Sequence, residues 1–306
     1  MATSSGDKRV TACIPYYKCR SHVRFAVQSL LAQTHTRITV VVINDGDANP
    51  PWDLLADIRD PRLVRFSLAG NHGPYFATAV ALNATSAQYF LIQDADDWSA
   101  PTRTAVLLDR LERDGSDLAV SAQPQYVDQG GKSRILDIRW KTASHGGNPG
   151  RSFVVRHLLG PHFCYRAPHH GLFRSDSVRR VGGYFGGLRI SYDTLLTNLI
   201  LMTGQISHVS QPLYYRLVRP ASLTHSAETG VDSTYAQQVH RALRAVYRDC
   251  FACYSQFLGG KIDCRRLGAD IRRSVARNIT AVDSQQLVLE TQRLRQVLRA
   301  HGMEPL

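Results

Sequence analysis

The sequence predicts an α/β fold, in which a mostly parallel sheet carries helices on both faces and a C-terminal helical appendage follows. Two observations lead to this prediction. Short apolar segments alternate with segments of helical period through the first half of the chain, which is typical of parallel strands joined by crossover helices. In addition, the run ITVVVI is continuously apolar and mostly β-branched, as expected of a strand covered on both faces.

Five apolar segments of the first half are predicted to be strands. They are residues 10–15, 38–43, 63–68, 89–93 and 118–123. Three segments between them have helical patterns. Ser21 is predicted to cap the first helix, the second covers residues 74–86, and the third covers 101–113 with Pro101 near its first turn.

The second half of the chain is organised differently. Residues 130–170 contain several Gly-Gly and Pro-Gly pairs, so we expect loops and irregular strands there. The helical period returns from Ser233 onward, and a second helical stretch covers residues 284–300. A domain boundary is therefore predicted near residues 225–235, and the sequence has no internal repeat.

Composition restricts the class of protein. The 306 residues are 43% hydrophobic and 20% charged, which is a globular balance, and the net charge of +12 favours anionic partners. No run is long and apolar enough for a membrane span, and the N-terminus lacks the apolar core of a signal peptide, so a cytoplasmic protein is expected. No nucleic-acid-binding motif is found, and no Gly-x-Gly-x-x-Gly turn follows the first strand.

The cysteines are scattered, so free thiols are the simplest expectation in a reducing compartment. Cys250 and Cys253 form a C-x-x-C pair, but they lie in a helical pattern and no second pair accompanies them. Two cysteines on a packed helix are therefore favoured over a metal or redox site.

Polar residues follow three of the predicted strands. The first strand leads into Pro15-Tyr16-Tyr17, the second into Asn44-Asp45-Gly46-Asp47, and the fourth into Asp94-Ala95-Asp96-Asp97. Because the carboxyl ends of parallel strands meet at one edge of a sheet, these groups are expected to lie together there. An aromatic ring can stack on a base, and clustered carboxylates bind Mg²⁺ or Mn²⁺, so the edge is predicted to hold a nucleotide diphosphate.

These segments resemble the nucleotide-sugar-binding half of the family 2 glycosyltransferases, whose fold is called GT-A. The resemblance is carried by ITVVVINDGD, by NHGPYFATAVALNATSAQYFLIQDADDWSAP and by VGGYFGGLRISYDTLLTNLILMTG, and it covers roughly residues 10–225. It implies an inverting transfer of a sugar from a nucleotide donor, expected to be UDP, with Mn²⁺ or Mg²⁺ as cofactor.

The resemblance assigns roles to individual positions. Donor binding falls on Pro15, Tyr17, Asp45, Asn71, Gly73, Asp94, Ala95 and Asp96. Metal binding falls on Asp96 and Asp97, and the general base on Asp193. The chain departs from the family pattern at Lys18, Asn44, Thr78 and Tyr192, where the family usually has Asn, an acid, Arg and Glu.

Structural roles are open for the same residues. Asp45 beside Gly46 also suits an ordinary turn, an acid among Asp94–Asp97 can cap the next helix, Tyr17 can be a core aromatic, and Asp193 can cap a helix. Further candidate contacts to acceptor or phosphate are His169, His170, Arg216 and His225, for which a packed or surface role is equally open.

Together these observations predict four parts of the chain. They are a disordered N-terminus at 1–8, a nucleotide-sugar-binding subdomain at 9–128, an acceptor-binding and catalytic subdomain at 129–228, and a helical region at 229–306. The expected partners are a UDP-sugar and a small-molecule acceptor, such as a natural product or an envelope precursor, with no nucleic acid. Membrane-surface contact through Arg241, Arg244 and Arg248, pairing of two copies through the C-terminal helices, and a catalytically silent nucleotide-sugar-binding module stay open as alternatives.

Overall fold

The structure of the protein is a computed structural model. The structure describes residues 8–129, 132–139, 152–156, 159–161, 169–219, 222–223, 226–230, 232–278 and 284–306.

The strands follow the predicted apolar segments and extend beyond them in the second half. In chain order they are β1 Val10–Tyr16, β2 Ile38–Asn44, β3 Leu63–Ser67, β4 Tyr89–Ile92, β5 Trp98–Ser99, β6 Leu118–Gln129, β7 Lys132–Arg139, β8 Phe153–Arg156, β9 Gly171–Arg174, β10 Gln205–Pro212 and β11 Tyr214–Leu217. The expectation of loops and irregular strands at 130–170 is met where the structure describes this stretch, since β7 and β8 lie there, and most of the rest falls outside the described residues.

The strands form one mixed sheet with the order β3-β2-β1-β4-β9-β6-β10-β8. The four strands from β3 to β4 are mutually parallel, whereas β9 runs antiparallel between β4 and β6. Strand β6 continues past the main sheet, where it pairs with β7 and β11, and β11 in turn pairs with β5. The short ribbon of β5 and β11 lies beside the end of β4 and forms one wall of the site described below.

The helices are α1 Arg20–Leu31, α2 Pro74–Ala84, α3 Arg103–Asp114, α4 Ser175–Arg180, α5 Tyr192–Thr203, α6 Thr234–Leu258, α7 Cys264–Asn278 and α8 Ser284–Ala300. Helix α8 confirms the predicted range 284–300, and α6 begins where the helical period returns. Helix α1 begins one residue before Ser21, and its N-cap, Cys19, makes no side-chain capping bond, so Ser21 does not cap it.

Helices cover both faces of the sheet, as predicted. Alternate residues of β1 separate the two cores: Ala12 and Ile14 pack with α1 and α3, whereas Cys13 packs with α2 and α5 to α8. Helix α2 is buried on nearly all sides, because the sheet lies beneath it and α8 lies over it. This burial fixes the N-terminus of α2, which faces the carboxyl edge of the sheet.

The C-terminal helices pack closely against the rest of the fold. Helix α8 returns to the first half of the chain, and Leu306 N donates to Ala84 O at 2.9 Å. Glu290 is fully buried on α8, and its carboxylate accepts hydrogen bonds from Ala69 N at 3.1 Å and from Arg293 Nη1 at 2.6 Å. The last helix is thereby joined to the loop that precedes α2.

Two further expectations can be compared with the described residues. Within them, no helix is long and apolar enough to cross a membrane. The five described cysteines are free thiols, and Cys250 is buried on α6, where burial raises the pKa of its thiol to about 12. The C-x-x-C pair thus lies on a packed helix, as expected.

Candidate active site

The carboxyl ends of β1, β2 and β4 meet at one edge of the sheet. Strand β1 lies between the other two, with Tyr16 in register with Asn44 of β2 and Cys13 in register with Ile92 of β4. The segments that follow these strands are therefore neighbours, which confirms the predicted gathering of the three polar groups at one edge.

A tight turn follows β2. The side chain of Asn44 closes it, because its Nδ2 donates to Asp47 O at 3.0 Å and its Oδ1 accepts from Asp47 N at 3.1 Å. Gly46 has φ +70° and its backbone lies against Gly70, where an added Cβ would come within 2.3 Å of the Gly70 carbonyl carbon. The turn and the 70–73 loop are thus pressed together, and only glycine fits the contact.

Asp45 holds this loop. It is 3% exposed, and its carboxylate accepts hydrogen bonds from His72 N and Gly73 N, each at 2.8 Å. Asn71 Nδ2 donates to Asp45 O at 3.0 Å. Burial raises the pKa of Asp45, and the two backbone N–H groups partly oppose this effect. Both carboxylate oxygens of Asp45 therefore bind the loop that leads into α2. If Asp45 also contacts the base of a nucleotide, the same oxygens must accept that hydrogen bond in addition.

Tyr17 lies at the open side of the same edge. Its side chain is 40% exposed, which separates it from the core aromatics. Lys18 follows with φ 48°, its backbone N donates to Asp47 Oδ2 at 3.1 Å, and its Nζ lies 5.1 Å from the Tyr17 ring centroid. Pro15 is half-buried at the end of β1. The exposed ring is placed where it can stack on a planar ligand.

Two of the acids after β4 form a compact group with a histidine. Asp94, Asp97 and His170 each offer one ligand atom, and these atoms lie within 4.8 Å of one another. Asp94 Oδ2 is 2.9 Å from His170 Nε2. Asp97 is 3% exposed and accepts from Leu217 N at 2.8 Å. Ala95, which follows Asp94 in the chain, is buried, with 5% of its surface exposed.

The charges of this group are strongly perturbed. Burial and the neighbouring carboxylates of Asp94 and Asp96 raise the pKa of Asp97 well above its usual range. Burial lowers the pKa of His170 to about 4, so the ring is neutral at pH 7. Burial alone would raise the pKa of Asp94, but the contact with His170 holds it well below the usual range. Carboxylates held this close together repel one another, and a bound cation relieves the repulsion.

The donor set fits a divalent metal. Two carboxylates and a neutral imidazole are hard and intermediate ligands, a combination that suits Mn²⁺ better than Mg²⁺, which prefers oxygen alone. Asp96 is not in this group, because its carboxylate pairs with Arg219 Nε. The metal role assigned to Asp96 thus stays a prediction, whereas the structure brings Asp94 and His170 to Asp97.

Arg216 is a second cation that interacts with the acids Asp97 and Asp94. Among the described residues its Nε has no hydrogen-bond partner, although the atom is buried. Burial opposes its charge, but the carboxylates of Asp97 and Asp94 raise its pKa above the ordinary value. A guanidinium with a free N–H donor beside a group of metal ligands suits an anionic ligand such as a diphosphate.

A buried arginine supports the acidic group from below. Arg103 is fully buried, and its guanidinium lies 4.3 Å from the Tyr214 ring centroid. The Tyr214 hydroxyl accepts from Asp94 N at 3.0 Å and also contacts the carboxyl of Asp97. Arg103 Nη2 donates to Ile92 O at 2.9 Å, which ties it to the end of β4. Arg103 and Tyr214 thus form a buried, positively charged layer beneath the acidic group.

Asp193 lies in the first turn of α5, on the other side of the histidine pair. Tyr75 OH donates to its Oδ1 at 2.9 Å, and His169 Nδ1 lies 3.3 Å from its Oδ2. Burial alone would raise the pKa of Asp193, but these two contacts hold it well below the usual range. The carboxylate is therefore ionised and oriented. The capping alternative is not met, because Ser191 is the N-cap of α5 and makes no side-chain capping bond.

The two histidines connect the parts of the site. The rings of His169 and His170 are 4.0 Å apart, and one contacts Asp193 while the other contacts Asp94. Strand β9 brings them there, since Gly171 approaches Ala119 O so closely that a Cβ would lie 2.5 Å away.

The predicted residues are thus mostly gathered at one edge, and His225 lies outside the described residues. Sequence reasoning missed Tyr75, Tyr214 and Arg103. Tyr75 follows Gly73-Pro74 at the start of α2, and this position was the available signal. For Arg103 and Tyr214 no local pattern indicates a role.

Comparisons with known proteins agree with this geometry. The model of the family "Glycosyl transferase family 2" matches residues 11–182, more than half of the chain. Succinoglycan biosynthesis protein ExoO of Rhizobium meliloti (strain 1021) is 31% identical over 111 residues, 36% of this chain and 32% of that protein. The UDP-Glc:alpha-D-GlcNAc-diphosphoundecaprenol beta-1,3-glucosyltransferase WfaP of Escherichia coli is 27% identical over 94 residues, 31% of this chain and 38% of that protein.

Among solved structures, S. aureus TarS 1-349 in complex with UDP-GlcNAc matches 96% of this chain and 92% of that chain, with a TM-score of 0.59 and 16% identity. This likeness confirms the predicted fold. The matches to ExoO and WfaP cover only about a third of those relatives. The length of the family match, over the segments that build the edge of the sheet, shows that this chain belongs to glycosyl transferase family 2.

Proposed function

We propose that the chain transfers a sugar from a UDP-sugar to a hydroxyl group of an acceptor, with inversion at the anomeric carbon and with Mn²⁺ as the favoured cofactor. One observation supports this proposal above the others. The consecutive residues His169 and His170 contact Asp193 and Asp94, so an oriented carboxylate lies next to a group of metal ligands. A direct displacement needs a general base close to the site that binds the donor diphosphate, and this arrangement provides both.

The donor side is assigned to the β1, β2 and β4 ends. Tyr17 is proposed to stack on the base, and the Asn71–Gly73 loop, held by Asp45, to border it. Asp94, Asp97 and His170 are the residues that would hold the metal. Asp96 could join them if its ion pair with Arg219 opens when the donor binds. When bound, a divalent ion offsets the negative charge that develops on the leaving diphosphate.

The choice of UDP rests on similar proteins. The TarS structure contains UDP-GlcNAc, and WfaP is described as using UDP-Glc. Arg216, whose buried Nε has no hydrogen-bond partner among the described residues, is proposed to contact the diphosphate as the negative charge of the leaving group grows.

On the acceptor side, Asp193 accepts the proton of the attacking hydroxyl group. Tyr75 and His169 fix its two oxygens, so that the lone pairs left over point in a defined direction. Attack and departure occur on opposite faces of the sugar, so no covalent enzyme intermediate is required. The acceptor is proposed to be a small molecule or an envelope precursor; WfaP, whose name includes a diphosphoundecaprenol-linked sugar, is the relative that favours the latter.

The experiment compares binding with turnover. UDP is titrated calorimetrically with and without Mn²⁺, and UDP release is measured from UDP-GlcNAc and UDP-glucose with water or added glycosides as acceptor. Asp193→Asn is expected to lower turnover at least about 100-fold, in the range of a lost general base, with the Kd for UDP unchanged. Asp176→Asn, an exposed acid on α4, serves as the control.

Three results would contradict the proposal or change it. Full activity of Asp193→Asn would remove the base assignment. UDP binding without any turnover by the wild-type chain would favour the catalytically silent module. A preference for GDP over UDP would keep the sugar transfer but replace the donor.

A further inference from the structure

The segment that carries Asp193 contains a strained residue. Ser191 has φ 64°, in the left-handed region that favours glycine, and it is the N-cap of α5. Thr194 N donates to Ser191 O at 3.2 Å, so the backbone of Ser191 sets the first turn of the helix. Asp193 is in that turn. The direction of the proposed base therefore depends on Ser191 staying in a conformation which serine disfavours.

Helix α6 holds this segment from outside. His240 Nε2 lies 3.0 Å from Ser191 Oγ, which is within hydrogen-bond distance. One turn and a half earlier, Tyr235 OH accepts from Arg189 N at 3.0 Å. Both contacts are made by the N-terminal half of α6, whose start is capped by Ser233 Oγ accepting from Ala236 N. The segment before Asp193 is thus fixed at two points by one helix.

These contacts lie beyond the part of the chain that the family model matches. That match ends at residue 182, whereas Ser191, Asp193 and α6 all follow it. The sequence left the role of the C-terminal helices open. Helix α7 packs against α4, α5 and α6, and α8 packs against α2 and β3. The polar contacts of Tyr235 and His240, by contrast, are made to the segment that leads into Asp193.

We propose that His240 is a positioning residue, which keeps Ser191 in its left-handed conformation and so keeps Asp193 aimed at the acceptor hydroxyl. The inference rests on the proposed function, since it concerns the same base. It assigns no proton transfer to His240. Without the hydrogen bond, Ser191 relaxes toward the ordinary helical or extended region, and the competent fraction of the protein falls.

The test is a double-mutant cycle between Ser191 and His240. His240→Ala is expected to lower kcat for UDP release about 5- to 30-fold, the population change that matches the cost of the left-handed conformation. The Kd for UDP with Mn²⁺ is expected to stay unchanged, because the donor residues are on other segments. Ser191→Gly adopts the left-handed conformation without cost, so kcat of this variant should stay near that of the wild type.

The decisive variant is Ser191→Gly combined with His240→Ala. If His240 acts by holding the backbone, its removal in the glycine background lowers kcat less than about twofold, because glycine needs no support. His240→Gln, which keeps a hydrogen-bonding side chain, should recover most of the loss. Arg248→Ala, an exposed residue two turns along the same helix, is the matched control and should leave kcat unchanged.

Each outcome decides the matter. The same loss of kcat in the serine and glycine backgrounds overturns the positioning role, as does an equal loss of UDP affinity. If His240→Ala is unfolded, the same comparison in the wild-type and Ser191→Gly backgrounds is made with His240→Leu, which fills the space of the ring but cannot make the hydrogen bond to Ser191 Oγ. Absence of turnover by a wild-type chain that binds UDP overturns the proposed function and this inference with it, whereas normal turnover by His240→Ala overturns the inference alone.

Discussion

Removal of the hydroxyl group of Tyr75 is the most direct test of how the Asp193 carboxylate is held. Tyr75→Phe keeps the ring, which is 8% exposed and lies 5.7 Å from the Tyr192 centroid, so packing is retained. What is lost is one hydrogen bond of 2.9 Å to an ionised oxygen. Bonds to charged groups contribute about 1.5–3 kcal/mol, and burial of this one favours the middle of that range, about 2 kcal/mol.

The pH dependence of that loss has a defined sign. The pKa of Asp193 is lowered in the folded protein, so the carboxylate contributes stability above its unfolded pKa and loses it as the pH falls toward the folded pKa. The difference in unfolding free energy between Tyr75→Phe and the wild type should therefore be constant from about pH 7 to pH 5. It should narrow only below about pH 4, where the unfolded carboxyl begins to take up a proton.

The assay is denaturant unfolding at a series of pH values, combined with UDP titration and UDP release. A fall in kcat with an unchanged Kd for UDP is expected, because Asp193 loses one of its two orienting contacts. Equal stability of the variant and the wild type at pH 7 would refute the argument. A difference that grows toward low pH would refute the assigned charge of Asp193.

Three further changes test other parts of the structure. Burial and the carboxylates of Asp94 and Asp96 make the Asp97 carboxyl costly to ionise, so Asp97→Asn should raise the Tm without metal and abolish the effect of Mn²⁺ on UDP affinity; a lower Tm with Mn²⁺ dependence retained would contradict this. Glu290→Ala leaves Ala69 N without its partner and should cost about 1–3 kcal/mol in denaturant unfolding, whereas an unchanged midpoint would exclude a role of α8 in holding that loop. Gly46→Ala forces a Cβ against Gly70 at positive φ and should destabilise by at least about 2 kcal/mol, measured by thermal unfolding; a Tm equal to that of the wild type would show that the two turns are not in contact.

Much of the fold could be predicted from local patterns. The run at residues 38–43 is apolar on both faces because β2 lies inside the sheet between α-helical layers. The Asp-x-Asp-Asp segment after residues 89–93 could be located because acids at the end of a buried strand are costly without a ligand or a partner. Parallel order then places the ends of β1, β2 and β4 together, which needs no knowledge of side-chain packing.

The pairing of side chains across the site could not be predicted in the same way. Sequence reasoning placed Asp96 with Asp97, whereas the structure puts Asp96 on Arg219 and brings His170 to Asp97 instead. The direction of the Asp97 carboxylate depends on β11, which lies more than a hundred residues away in the chain and whose Leu217 N donates to Asp97. No local period reports such a contact.

The sequence by itself therefore determined the layers of the fold, the edge that carries the polar groups and the identity of Asp193 as the acid after the glycine-rich turn. Only the tertiary structure decided what surrounds that acid. Tyr75 is 118 positions away in the chain, and it meets Asp193 because α2 and α5 pack on the same face of the sheet. Local sequence encodes burial and backbone conformation, but contacts between distant side chains arise only when whole elements are packed together.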